Sequence, residues 1–266
     1  MQIPLPPRPD QSHKGDFGSV GILGGAPGMA GAVLLAARAA LWLGAGRVYG
    51  GLLDTRVALD PSAPEVMMTT PARVLELTAP GGLIIGPGLG QDAQALDLLR
   101  TALASALPLL IDADALNLLA AHPVLMRQVA RREAATLLTP HPGEAARLLG
   151  TPITNREAAV RTLQKQSRAI VVLKGAGTLI CAGDTVWQNT TGNPGMAAPG
   201  MGDILSGMIA ALIAQGARPV EAACHSVWLH GRAADQCVLD GIGPLGLTAS
   251  EVAHCARSLL NRAQSS

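Results

Sequence analysis

Apolar residues along this chain fall into two alternating patterns. Short runs dense in Val, Ile and Leu predict strands at 17–23, 47–52, 82–85, 108–112, 135–138 and 169–173. Between them, Ala/Leu-rich stretches of helical period predict helices near 29–43, 92–105, 142–149, 155–166, 203–215, 219–237 and 248–263. Continuous apolar strands alternating with amphipathic helices are the pattern of a parallel sheet covered on both faces. The run from Thr178 to Gln188 differs: it places two short strands around Ala182-Gly183-Asp184, predicting an antiparallel hairpin at the sheet edge. No repeat or linker interrupts the alternation, so residues 1–266 are expected to form one α/β domain.

Composition narrows the class. Only five residues are aromatic (Phe17, Trp42, Tyr49, Trp187 and Trp228), so Leu, Ala, Val and Ile must fill the core. A net charge of +1 with no long basic run argues against nucleic acid as a partner and points to small molecules. Cys181, Cys224, Cys237 and Cys255 show no CxxC spacing, so reduced thiols are expected and neither a zinc site nor a redox dithiol. The N-terminus, with its prolines at 4, 6, 7 and 9, has no signal-like apolar stretch. Elsewhere the long apolar runs are broken by Arg38 or are too short to span a bilayer, so a cytoplasmic protein with no membrane partner is expected.

Several strands end in clusters of Gly, Pro or acidic residues, where open α/β sheets gather ligands. In Asn193-Pro194-Gly195-Met196-Ala197-Ala198-Pro199-Gly200-Met201-Gly202-Asp203, the glycines let backbone N–H groups converge at a helix start, which favours phosphate. Asp203 at that start is either a base or a plain helix cap. Of three lysines, Lys14 and Lys174 lie in glycine-flanked loops. Lys174-Gly175-Ala176-Gly177-Thr178 follows a strand-like run and suits phosphate contact, or is a strand-ending turn with a solvated lysine. None of the lysines completes GxxxxGK[ST], which excludes a P-loop. Gly24-Gly25-Ala26-Pro27-Gly28 and Gly86-Pro87-Gly88-Leu89-Gly90 permit close backbone approach, yet neither matches GxGxxG. Asp112, Asp114 and Glu144 at strand ends suit Mg²⁺ held through waters, or equally the capping of following helices. His225 and His230, five apart, do not stack on one helical face and read as ordinary helix residues.

In their order along nearly the whole chain, these segments resemble the ribokinase-like superfamily and, within it, the NAD(P)H-hydrate dehydratase family. The resemblance rests on HKGDFGSVGILGGAPGMAGA, GPGLG, IDADALN, LLTPHPGE, VLKGAGT and NPGMAAPGMGDILSG. It implies a three-layer αβα sandwich around a mostly parallel sheet. The implied reaction is the ADP- or ATP-dependent dehydration of the S epimer of hydrated NADH or NADPH, a metabolite-repair lyase reaction passing through a phosphorylated intermediate. Carried over by position, Asp203 resembles the base, and Lys174, Gly175, Ala176, Gly177, Thr178 and Gly202 resemble the nucleotide contacts. Ala32, Gly88, His141 and Asp203 resemble the hydrated-cofactor contacts, with Gly200, Met201 and Gly202 as the anion hole.

The family's use of Mg²⁺ is also implied, although no residue here compels a metal assignment. ADP is the expected donor, because the short loops look bacterial. A homo-oligomer, commonly a tetramer, is expected from the resemblance alone. The chain begins about a dozen residues before the HKGD motif, so an epimerase is expected to be a separate partner or to have been removed. Many members carry Gly-Thr-Gly-Asp where this chain has Gly200-Met201-Gly202-Asp203, and the lost hydroxyl is expected to cost phosphate affinity and to affect nucleotide preference. Two other readings remain at this point: a kinase of a vitamin-precursor alcohol such as hydroxyethylthiazole or hydroxymethylpyrimidine, and a nucleotide-binding regulator without turnover.

Overall fold

The computed structural model describes residues 7–76 and 81–264; of the proline-bearing lead, Pro4 and Pro6 lie outside them. Among the described residues nine strands form one sheet: β1 (Ser19–Gly24), β2 (Arg47–Leu52), β3 (Met67–Thr69), β4 (Gly81–Ile85), β5 (Leu109–Ile111), β6 (Thr136–Leu138), β7 (Ile170–Leu173), β8 (Leu179–Ala182) and β9 (Thr185–Gln188). Their order is β3-β2-β1-β4-β5-β6-β7-β8-β9. Pairing is parallel from β3 through β7, and β8 and β9 add the antiparallel edge hairpin that the sequence predicts.

Helices α1 (Ala30–Trp42), α8 (Met201–Ala214), α9 (Pro219–Leu239) and α10 (Ala249–Gln264) cover one face. The other face carries α2 (Pro71–Glu76), α3 (Ala93–Ala104), α4 (Ala113–Ala121), α5 (Pro123–Val129), α6 (Pro142–Leu149) and α7 (Arg156–Ser167). Strand side chains alternate between the two layers, as a pleated strand requires: Ile84 packs with α1 and α8, while Leu83 and Ile85 pack with the opposite layer. The expected three-layer α/β sandwich is therefore the observed architecture.

Contact between α1 and α8 is close enough that a β-carbon at Gly207 would lie 2.1 Å from the Ala36 carbonyl oxygen. That fit fixes where α8 begins relative to the sheet. Strand β3 and helices α2, α4 and α5 fall outside the predicted ranges, and β1 begins later than expected. Strand β3 (Met-Met-Thr) is a partly exposed edge strand without the buried apolar run of the equally short β5 and β6, and α5 starts at Pro123, a residue that reads as a breaker but is tolerated in a first helical turn. Predicted strand 17–23 begins instead at Ser19, because Phe17 closes a 3-10 turn (Lys14–Phe17) and is buried with the Arg8 guanidinium 3.8 Å over its ring.

All four cysteines are free thiols. Among the described residues no helix is long and apolar enough to cross a membrane. His225 and His230 lie on α9, and burial holds the His230 imidazole down at about 4, so it is neutral at physiological pH.

Candidate active site

Because β1 and β4 to β7 run the same way, their carboxyl ends deliver five loops to one end of the sheet. Strand β5 is followed by Asp112, which is 1% exposed and caps α4, its Oδ1 accepting from Ala113 N at 2.9 Å. Asp114 is not that cap. Its Oδ2 accepts instead from Gly90 N at 2.9 Å, tying the GPGLG loop to α4. Strand β7 is followed by Lys174, whose Nζ donates to Asp112 Oδ1 at 2.7 Å and lies 4.0 Å from Glu144 Oε2. From α8, Ser206 Oγ donates to Asp112 Oδ2 at 2.8 Å. Asp112 thus joins β5, β7 and α8 at one buried point.

Helix α8 begins after Gly200, whose φ of 84° is the left-handed conformation glycine supplies without strain. Asp203 is consequently not the cap but a first-turn residue. Ile204 is the first N–H to reach a helical carbonyl, Gly200 O at 3.0 Å, and those of Met201, Gly202 and Asp203 have no acceptor among the described residues. Such orphan donors at a helix start form an anion site. A β-carbon at Gly202 would lie 3.2 Å from Lys174 Nζ and 3.9 Å from Asp112 Oδ2, so this turn faces the lysine directly. Met201 differs from its neighbours: its side chain is 6% exposed and packs into the core shared with α1 and α9, so it offers the loop only its backbone.

Electrostatics distinguish the acids. Burial, reinforced by Asp112 and opposed by Lys174, pushes the Asp203 carboxyl up to about 7, and no described residue donates a hydrogen bond to it. A carboxylate so poised is a competent general base near neutral pH. Glu144 is also raised by burial, against the pull of Lys174. For Lys174, burial lowers the ammonium but Asp112 and Glu144 outweigh it, and the group is held charged.

His141 caps α6, its Nδ1 accepting from Gly143 N at 2.9 Å and Glu144 N at 3.3 Å, while Glu144 Oε2 accepts from His141 N at 2.7 Å. Burial first, then Lys174 and Arg147, lower the imidazole, which suits an accepting nitrogen. Ala32 sits in the first turn of α1, half-buried. Gly88, at φ 56°, packs so closely on α1's entry that a β-carbon would meet Met29 O at 2.5 Å. A β-carbon at Gly200 would meet Leu35 Cδ1 at 2.5 Å, which places the second turn of α1, just after Ala32, beside the start of α8.

The structure thus gathers Asp203, Gly202, Lys174, Asp112, Glu144 and His141 into one charged cluster and sets Ala32 and Gly88 on the loops beside α1. It separates the three acids considered for a metal: Asp112 and Glu144 face Lys174, whereas Asp114 turns to Gly90. No group of three or more His, Cys, Asp or Glu is arranged to hold a metal among the described residues. Sequence reasoning did not find Ser206, although a serine three residues after Asp203 in an otherwise apolar helix was a visible signal. A hollow of about 660 Å³, lined by Leu119, Met126, Arg127, Arg131 and Lys165, lies at the opposite end of the sheet and contains none of these groups.

Residues 20–254 match the sequence model of a family described as NAD(P)H-hydrate dehydratase. A Neisseria meningitidis protein named ADP-dependent (S)-NAD(P)H-hydrate dehydratase is 42% identical over 264 residues, covering 96% of this chain and 89% of that one. The bifunctional NAD(P)H-hydrate repair enzyme of Coxiella burnetii is 42% identical over 267 residues, covering 97% of this chain, which spans 53% of that longer protein. Among solved structures, the Bacillus subtilis ADP/ATP-dependent NAD(P)H-hydrate dehydratase co-crystallised with ATP and Mg²⁺ superposes with a TM-score of 0.83 at 30% identity, covering 97% of this chain and 94% of that one.

Proposed function

The chain belongs to the NAD(P)H-hydrate dehydratase family, and from that premise we propose that it dehydrates the S epimer of hydrated NADH or NADPH with ADP as phosphoryl donor. The observation that carries the reading is the meeting of Asp203, with its raised affinity for a proton, and Lys174 at the N–H-rich start of α8. Asp203 takes the proton from the hydroxyl on the damaged nicotinamide ring as that oxygen attacks the terminal phosphorus of ADP, and AMP leaves. The N–H groups of Met201, Gly202 and Asp203 and the Lys174 ammonium stabilise the charge on the transferring phosphoryl group, which is most of what phosphoryl transfer asks of a protein. Electron release from the ring nitrogen then breaks the ring carbon–oxygen bond of the phosphate ester and expels phosphate, and loss of a proton from the adjacent carbon restores the dihydronicotinamide. The sum is hydrate plus ADP giving reduced cofactor, AMP and phosphate.

Residues 174–178 are assigned to the nucleotide phosphates; Ala32, Gly88 and His141 are assigned to the hydrated cofactor. A Mg²⁺ would be held largely by phosphates and waters, because both Asp112 oxygens already accept hydrogen bonds and Lys174 stands between Asp112 and Glu144. When bound, the ion would neutralise phosphate charge. Residues 1–266 act as one unit in this reading, supported by the continuous sheet, in a cytoplasmic homo-oligomer working with an epimerase. The longer bifunctional relatives favour that partnership.

The test is spectrophotometric: hydrated NADH, Mg²⁺ and either ADP or ATP are mixed with the protein and the return of dihydronicotinamide absorbance is followed. Recovery with ADP is expected. No recovery with either nucleotide, or accumulation of a stable phosphate ester, would overturn the reading in favour of a kinase.

A further inference from the structure

We propose that Arg156 is a positioning residue that turns the backbone N–H groups of the 174–178 loop toward a nucleotide phosphate, an inference that rests on the reading above. Arg156 is the first residue of α7, behind the loop. Its Nη1 donates to Ala176 O, and its Nη2 donates to Leu173 O at 3.2 Å and Lys174 O at 3.3 Å. Thr178 Oγ1 donates to Gly175 O at 2.9 Å. Four consecutive carbonyls, from Leu173 to Ala176, are thereby committed to the protein.

In a planar trans peptide the C=O of one residue and the N–H of the next point in opposite directions. Holding the carbonyls of Lys174, Gly175 and Ala176 inward therefore turns the N–H groups of Gly175, Ala176 and Gly177 the other way. None of those three has an acceptor among the described residues. Gly175 at φ 130° and Gly177 at φ 61° supply the left-handed geometry that lets successive N–H groups converge into an anion nest.

Only a guanidinium fits this role well, because its planar fork reaches several carbonyls at once and a lysine ammonium does not. Arg156 Nε, buried and without a partner among the described residues, shows the head placed for the loop carbonyls rather than satisfied all round. The residue touches no phosphate itself; it acts through the loop.

The experiment is calorimetric titration of ADP into the full-length protein and its Arg156→Ala, Arg156→Lys and Lys174→Ala variants, with steady-state kinetics and melting curves alongside. Arg156→Ala should raise the ADP Kd at least about tenfold. The KM for ADP should rise in step while kcat at saturating ADP stays close to wild type. Arg156→Lys should not restore affinity, whereas millimolar guanidinium should restore it in Arg156→Ala and not in Lys174→Ala. An ADP Kd within about twofold of wild type in both Arg156 variants would overturn the proposal, as would a loss that tracks a lowered Tm and resists guanidinium. Should the Ala variant not fold, Arg156→Lys carries the comparison. Wild-type protein that bound no ADP would instead sink the nucleotide reading on which the proposal rests.

Discussion

Lys174 Nζ lies 2.7 Å from Asp112 Oδ1, so the lysine at the end of β7 and the cap of α4 hold each other at the centre of the candidate site. The contact spans 62 positions in sequence and is almost fully buried on the Asp112 side. A buried ion pair contributes little net stability against an apolar substitute, but removing one partner strands the other. Its function is geometric: it holds the ammonium against the start of α8.

Lys174→Met should accordingly cost about 3 kcal/mol of unfolding free energy, with a smaller loss when Asp112→Asn is added, since the stranded carboxylate is then neutral. Urea denaturation of the two single variants and the double variant measures this coupling. Additive losses would mean that the pair is not coupled. ADP affinity should also fall in Lys174→Met, by about ten- to a hundredfold, as a charge-assisted contact is lost.

Asp203→Asn removes the base and leaves the loop backbone in place. Turnover should drop by about three orders of magnitude or more while ADP binding changes little. Because burial, with help from Asp112, raises the Asp203 carboxyl to about 7, wild-type kcat/KM should fall as pH drops through that value. Between its ordinary 3.8 and about 7 the folded protein binds this proton more tightly than the unfolded chain, so stability from this group declines as pH rises across that window. Asp203→Asn should therefore be the more stable protein near pH 8, by roughly 1–3 kcal/mol after allowing for partial exposure, with no advantage at the acid end.

Asp112→Asn isolates the like-charge contribution to that raised carboxyl. Without Asp112, Asp203 loses a repelling neighbour and Lys174 is free to favour the carboxylate, so the acid limb of kcat/KM should move to lower pH. A limb that stayed near 7 would assign the whole shift to burial. The pH profile separates this from a simple loss of folding, which would lower the rate at every pH.

Much of this was legible from the chain alone, because glycine-rich turns and acids after apolar runs mark strand ends whatever the tertiary context. GPGLG, the Asp112 turn, TPHPGE and the Lys174 loop all fall where the parallel strands stop. The pairings between them were not legible. Asp112 and Asp114 are equivalent as acids near a helix start, and only the fold decides that one takes Lys174 and Ser206 while the other takes Gly90 N. Arg156 follows a capping Asn155 and reads as an ordinary surface arginine until β7 is laid beside α7. Strand β3, Met-Met-Thr at the partly exposed sheet edge, lacks the buried apolar run that marks the equally short β5 and β6.

Met201 is where structure changes an expectation about chemistry. The sequence comparison within the family suggested that methionine, in place of the common threonine, deprives a phosphate of a hydroxyl contact. Yet the side chain at this position is 6% exposed and points into the apolar layer beneath α8, away from the orphan N–H groups. A threonine there would bring its hydroxyl into that layer and leave a smaller volume filled. Met201→Thr should thus lower stability by about 1–3 kcal/mol, through lost burial and an added buried hydroxyl, and leave the ADP Kd within about twofold of wild type. Thermal melting and calorimetric titration on the same preparation measure both quantities. Tighter ADP binding by the threonine variant would mean that the side chain at 201 does reach the phosphate, and that the anion hole is more than backbone.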